Sequence, residues 1–234
     1  MAKQDEQGQR LLAAVERLVD DPDGLIAGLD EVQRTTPREP GATDEEHRSE
    51  VAEGIVSRFS TKCAVSGGVA ALPAMLPGAG TLVSVLGGSL ADMCMTLKYE
   101  VEMALTLTHL YGFDIRIERE RQLAFLLASV STYEASTNRS IFVELAMAET
   151  EAIWKYTPRQ ISKFLLTVMA KLALIAASKS FVRALPVVGV VVGSGVNKLL
   201  TTRVGHQCVG ELDRRSRLEP RDVDTEVVEA RFEE

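Results

Sequence analysis

CAVSGGVAALPAMLPGAGTLVSVLGGSLA, Cys63 to Ala91, runs 29 residues without a charge, is rich in glycine and is interrupted by Pro73 and Pro77. A straight membrane span needs roughly 20 uninterrupted apolar residues, and each proline removes a backbone donor and clashes with the preceding turn. The stretch therefore predicts a hairpin: one helix ending near Leu72, and a second starting at Pro77-Gly78. In that second helix Gly80, Ser84 and Gly88 fall four apart and form a ridge almost without side chains, the usual close-contact signal between apolar helices. A shorter counterpart lies at Ala184 to Asn197, ALPVVGVVVGSGVN, and shares the Leu-Pro-x-x-Gly start. Aligned there, Gly80, Ser84 and Gly88 match Gly189, Gly193 and Asn197. The expected architecture is an all-α multi-helix bundle around these two Gly/Pro-rich hairpins, with Leu72, Met75, Leu76, Val187 and Val188 at their apolar tips for lipid contact.

The 234 residues suffice for one sizeable core. Apolar residues make up 46% but aromatics only 5%, and strand-like alternation is absent, so Leu, Val, Ala and Met on helices must fill that core. A net charge of -7 argues against nucleic acid as a partner. Cys63, Cys94 and Cys208 are far apart, odd in number and in no metal-binding spacing, so neither a disulfide framework nor a zinc site is supported. His47, His109 and His206 are isolated, which leaves metal chemistry unsupported and no cofactor implied. The opening MAKQDEQGQR has no apolar region of a secretory signal. A cytoplasmic protein peripherally associated with the inner membrane is the expectation.

Residues 1–42 read as an acidic N-terminal helical arm and linker, 43–218 as the helical domain, and 219–234 as an acidic tail. Short amphipathic helices at Gln9 to Val19 and from Gly24 to about Arg34 precede TPREPGAT, Thr36 to Thr43, the clearest linker. Thr43-x-x-Glu46 predicts a capping box ahead of Val51, Ile55 and Phe59. Beyond the first hairpin, Thr81 to Tyr111 predicts one long helix with a stripe through Leu82, Leu86, Leu90, Met93, Leu97, Val101, Ala104 and Thr108, stopped by Gly112. Ile117 to about Tyr133 is the next helix, with a polar break at Glu134 to Ser140. Ile141 to Tyr156 follows, then Arg159 to Arg183, apolar on most sides and so central or lipid-facing, then a helix from about Val196 to Arg217.

The strongest signal of function is the union of basic and apolar character late in the chain. Ala152 to Gly210 carries eight bases and no acid, among them Lys163, Lys171, Lys179 and Arg183. Bases beside an anionic leaflet gain roughly 1 kcal/mol each, so an anionic phospholipid or membrane surface is the expected partner. Those four do not share one face of an ideal helix, and pairing with Glu144, Glu149, Glu151 or the acidic arm stays open as the structural alternative. Asp92, Asn197 and Arg203 are read as buried polar residues that tie the two apolar segments together. Gly87-Gly88-Ser89-Leu90-Ala91 lacks the strand that a nucleophile elbow requires, and Gly78-x-Gly80 lacks a third glycine, so no catalytic residue is assigned and the protein is read as a non-enzyme. A soluble carrier enclosing an acyl chain between the hairpins, and a protein-binding scaffold without lipid, remain as alternatives.

Leu76-Pro77-Gly78-Ala79-Gly80, then Ala91-Asp92, Tyr111-Gly112-Phe113-Asp114, and Pro186-Val187-Val188-Gly189 through Asn197 with Thr201 to Gly205 occur in this order. In these motifs the chain, over residues 51 to 212, resembles the EcsC family of bacterial proteins. The resemblance implies a membrane-associated, non-catalytic role, with a membrane protein such as an ABC transporter as a further partner.

Overall fold

In the computed structural model of the protein, the described residues are 2–66, 88–141, 156–178 and 192–218. Seven helices and no strand lie among them: α1 (Ala2–Leu18), α2 (Pro22–Thr35), α3 (Asp44–Ser66), α4 (Gly88–Leu110), α5 (Glu118–Thr137), α6 (Pro158–Ala177) and α7 (Val192–Leu218). The protein is an all-α multi-helix bundle. Lys179, Arg183, Leu72, Met75, Leu76, Gly80, Ser84, Val187, Val188 and Gly189 lie outside the described residues.

Local chemistry fixes the helix ends. The Asp21 carboxylate accepts from the Gly24 N–H and Pro22 opens α2. The capping box before α3 is present in both directions: Glu46 N–H donates to Thr43 Oγ1 at 3.2 Å, and Thr43 N–H donates to Glu46 Oε2 at 2.8 Å. Donation by the Thr43 backbone and then its hydroxyl holds the Glu46 carboxyl below its ordinary range. Gly112, at φ 86°, stops the chain after α4. Two boundaries differ from the expected ones. The helix α5 continues to Thr137 because Ala135 is buried and Asn138 takes the left-handed cap at φ 54°, so the polar break is shorter than its composition suggests. Helix α6 begins with a second capping box, Thr157 with Gln160, the same Thr-x-x-Glu/Gln spacing as at Thr43, which the sequence reading passed over.

Helix α4 is the axis, packed by all six others. Its predicted stripe is buried from Leu90 to Thr108, while Leu82 and Leu86 lie outside the described residues. The other faces are occupied as well, which makes α4 rather than the more apolar α6 the central element. Among the described residues α6 alone is long and apolar enough to cross a membrane, and half of that apolar window is buried in the bundle. One of its faces lies against α1, another against α5, and Leu174 stays 39% exposed.

Residues 1–42 were set apart by charge, yet α1 and α2 pack onto the core through Leu11, Val15, Leu25, Leu29 and Val32. Their apolar stripes are short but complete, and the acids lie on the opposite faces. Helix α1 approaches α6 closely: a Cβ on Gly8 would sit 2.7 Å from the backbone nitrogen of Ala170. Backbone cannot rotate aside as a side chain can. Gly8→Ala is therefore expected to lower stability by about 1–3 kcal/mol, despite the better helix propensity of alanine. Thermal melts check this; an unchanged midpoint would mean that α1 shifts freely along α6. On the other side of the core, a Cβ at Gly205 would sit 2.7 Å from Val56 Cγ2, which seats α7 closely on α3.

Candidate functional site

Pairings across the helices orient the bundle. Arg48, in the first turns of α3, lies over the Tyr111 ring just beyond α4. Arg217, at the end of α7, pairs with Glu45 at the start of α3, and Arg215 pairs with Glu120 at the start of α5. Near the other ends, Arg203 of α7 donates to Asn138 Oδ1 at the cap of α5, and the Cys63 thiol meets Thr96 and Thr201. Lys171 of α6 lies 5.8 Å from the Tyr133 ring, which aligns the end of α6 with the end of α5. The end of α3, the start of α4, the end of α6 and the start of α7 thus share one pole. These four ends are the points from which residues 67–87 and 179–191 connect. Sequence pairs the two apolar segments by composition; the helix directions attach both to one pole.

The described rim of that pole is apolar and basic. Val65 is 75% exposed and Leu199 71% exposed; Lys62 and Lys198 are exposed near the same helix ends, and Arg139 and Arg203 are exposed around the cap that ends α5. Lys163 is exposed and Lys171 half-buried on α6, and both lie farther from the pole than Leu174. The predicted set is thus divided between the flank and the rim. Gly88 opens α4 and Gly193 lies in the first turn of α7. Asp92 is exposed rather than buried, because it falls between Ala91 and Met93 on the face of α4 turned from the core; partial desolvation still raises its carboxyl above the ordinary range. Asn197 is half-buried and Arg203 exposed, and the partner of Arg203 is Asn138 rather than Asp92. A carboxylate and a guanidinium that both reach water need no buried tie.

Beneath the pole lies a buried polar cluster that sequence reasoning missed. Glu100 of α4 is 1% exposed; its Oε1 lies 3.1 Å from Thr201 Oγ1 and its Oε2 2.6 Å from Thr132 Oγ1. Thr132 Oγ1 also lies 2.8 Å from the Ala128 carbonyl oxygen. One hydroxyl hydrogen cannot serve both acceptors. A protonated Glu100 donating to Thr132 Oγ1 leaves the threonine free to donate to Ala128. Burial pushes the Glu100 carboxyl up to about 7, with the two threonine hydroxyls opposing. Nearby, burial pushes the Cys63 thiol up to about 11 and the Cys208 thiol to about 12. A signal existed: Glu100 falls three after Leu97 and four before Ala104, on the apolar stripe itself.

On the flank one turn from the pole, α2, α3 and α4 enclose a cavity of about 170 Å³. Gly24 and Gly28 open its α2 wall, and Arg58 and Lys62 project from α3 opposite Asp20 and Glu102. Lys98 Nζ lies 2.5 Å from Glu102 Oε1, which also accepts from the Asp20 N–H at 3.0 Å.

Neither a curated protein nor a solved structure matches this chain. The family model described as EcsC protein family matches residues 24–210. That match takes in α2 to the middle of α7, so it includes the central helix, the buried Glu100 cluster, the lining of the flank cavity except Asp20, and both apolar segments that attach at the pole. With most of its length in that match, the chain belongs to the EcsC protein family.

Proposed function

We propose that the protein binds a membrane surface through the pole at which its two apolar segments attach, acting there as a non-catalytic adaptor on the cytoplasmic face of the inner membrane. One observation carries this reading: the segments at 67–87 and 179–191 join the bundle at a single end whose described rim is apolar and basic. Four rim bases, Lys62, Arg139, Lys198 and Arg203, gain roughly 1 kcal/mol each beside anionic lipid. Val65 and Leu199 add about 1.5–3 kcal/mol apiece when their exposed surface leaves water. Together these suffice for reversible docking before any part of the two apolar segments is counted. A membrane protein such as a transporter is the natural client of an adaptor so placed.

Flotation with neutral and anionic liposomes at low and high salt tests the reading. The protein is expected to float with anionic vesicles, and Lys198→Glu with Arg203→Glu to reduce the floated fraction while leaving the melting temperature within a degree or two, as for exposed positions generally. Val65→Asp with Leu199→Asp is expected to do the same at high salt, where apolar contact remains. Absence of flotation in every condition would overturn the membrane reading in favour of an enclosed acyl chain or a protein partner.

A further inference from the structure

The flank cavity has a charge pattern that simple packing does not require. Its four charged side chains are Arg58, Lys62, Asp20 and Glu102. Glu102 is neutralised by Lys98 at 2.5 Å. Arg58 places Nη2 3.0 Å from Glu31 Oε2 and donates from Nη1 to the Gly28 carbonyl at 3.3 Å, which leaves further N–H groups of its planar fork unused. Lys62 and Asp20 are different. Among the described residues neither side chain makes an ion pair, although each feels the other's charge across the cavity. The Lys62 ammonium lies 4.8 Å from the Phe59 ring, and desolvation first, then the neighbouring Arg58 cation, lowers its affinity for a proton. An anion paired with the ammonium would offset both effects.

The cavity therefore offers a cationic wall, Arg58 with Lys62, and a separate carboxylate, Asp20, around a space that two glycines keep open. A Cβ at Gly28 would meet nothing within 4 Å. An anion alone would face the Asp20 carboxylate, and a cation alone would face Arg58 and Lys62. A small zwitterion satisfies both. We propose that this cavity binds a phosphate group carrying a nearby primary ammonium, the phosphoethanolamine class, with the phosphate on Arg58 and Lys62 and the ammonium on Asp20. The phosphate suits the site because its several oxygens accept from a guanidinium fork and an ammonium together. Lys62 is four residues from the end of α3, so the cavity opens about 6 Å below the pole. A headgroup of a bilayer docked there and a free phosphoethanolamine are both within its chemistry. The first source rests on the membrane reading; the second does not.

Calorimetric titration of the full chain with O-phosphoethanolamine, inorganic phosphate, ethanolamine and β-alanine, beside flotation with phosphatidylethanolamine vesicles, decides the matter. Saturable binding of phosphoethanolamine is expected, tighter by about tenfold or more than inorganic phosphate or ethanolamine, each of which lacks one charged partner, and than β-alanine, whose carboxylate offers fewer oxygens and less charge to Arg58 and Lys62 together. Lys62→Met and Asp20→Asn are each expected to weaken it by about the same factor. Gly28→Leu fills the space from an open helix face, and is expected to abolish binding while the melting temperature holds or rises. Phosphate bound as well as phosphoethanolamine and indifferent to Asp20→Asn would overturn the zwitterion in favour of an ordinary anion site. Equal binding of β-alanine would overturn the phosphate assignment. If vesicles float but no soluble compound binds, and Gly28→Leu floats like the parent, the cavity proposal fails while membrane docking stands. Soluble binding without flotation upholds the cavity and removes only the lipid source.

Discussion

Replacing Arg215 with leucine is expected to cost the protein about 3–5 kcal/mol, the loss typical when one partner of a buried ion pair is removed. Arg215 is 2% exposed, on the last turns of α7. Its Nη1 lies 2.6 Å from Glu120 Oε2 and its Nη2 3.0 Å from Glu120 Oε1, a two-pronged contact across 95 residues of sequence. The guanidinium carbon also lies 3.7 Å from the centre of the Phe113 ring, so the cation is sandwiched between a carboxylate and an aromatic face. Position helps both partners. Glu120 is in the first turn of α5 and Arg215 in the last turn of α7, where the helix dipoles favour an acid and a base respectively. Without Arg215, Glu120 keeps Arg119 Nη1 at 3.2 Å, a half-exposed partner that cannot replace a buried fork. At roughly 2–4 °C per kcal/mol for a chain of this size, the melting temperature should fall by about 10 °C. Arg215→Leu combined with Glu120→Leu should recover most of the loss, since no carboxylate is then stranded. A single variant within about 1 kcal/mol of the parent would show that the pair behaves like a surface contact.

Glu100→Gln is expected to stabilise the protein, and to do so more as pH rises. The carboxyl is raised from 4.5 to about 7 by burial. Below pH 4.5 it is protonated both folded and unfolded, so that region is the reference at which its contribution is fully present. Between 4.5 and about 7 the unfolded chain releases the proton while the folded chain keeps it, so stability declines through this window and levels off above it. At about 1.4 kcal/mol for each tenfold change in proton affinity, the decline is on the order of 3 kcal/mol. Glutamine does not titrate. Its amide still accepts at one end and can donate to a threonine oxygen at the other, so Thr132 and Thr201 keep partners. Urea midpoints at pH 5, 6, 7 and 8 should diverge, with the variant ahead at the alkaline end. Parallel curves would mean that Glu100 is ionised and compensated at all of them. Because Glu102 and Glu211 are also raised by desolvation, the difference between the two proteins, rather than either curve, isolates this group.

Patterns confined to one helix were legible. Thr43 and Glu46 announced their box, Gly112 its turn, and Leu97, Val101 and Ala104 the inner face of α4, because each depends on residues a few positions apart. What one helix does to another was not. Nothing in RRSR marks Arg215 as the buried one of its three arginines, since that depends on where α5 lies. Asp92 was misplaced for the related reason that a carboxylate in apolar sequence suggests burial, while a helix turns 100° per residue and carries it outward. Charge misled at the N-terminus, where the amphipathic stripe of α1 was read but acidic composition assigned the helix to an arm rather than to the core. At the candidate site, the basic and apolar composition was visible, but the shared pole followed only from helix directions. The cavity depends on Gly24, Gly28, Lys62 and Asp20 meeting from three helices, and no spacing encodes that.

The seating of Gly8 against Ala170 has a consequence in time. Partners roughly 160 residues apart emerge some 8–30 s apart at ordinary synthesis rates of about 5–20 residues per second. Helix α1 is thus made long before the surface it covers, and Leu11 and Val15 wait uncovered until α6 has followed. This closure joins helices made far apart in time, so a nascent chain halted before Ala170 should be a better substrate for chaperones than its length alone would suggest.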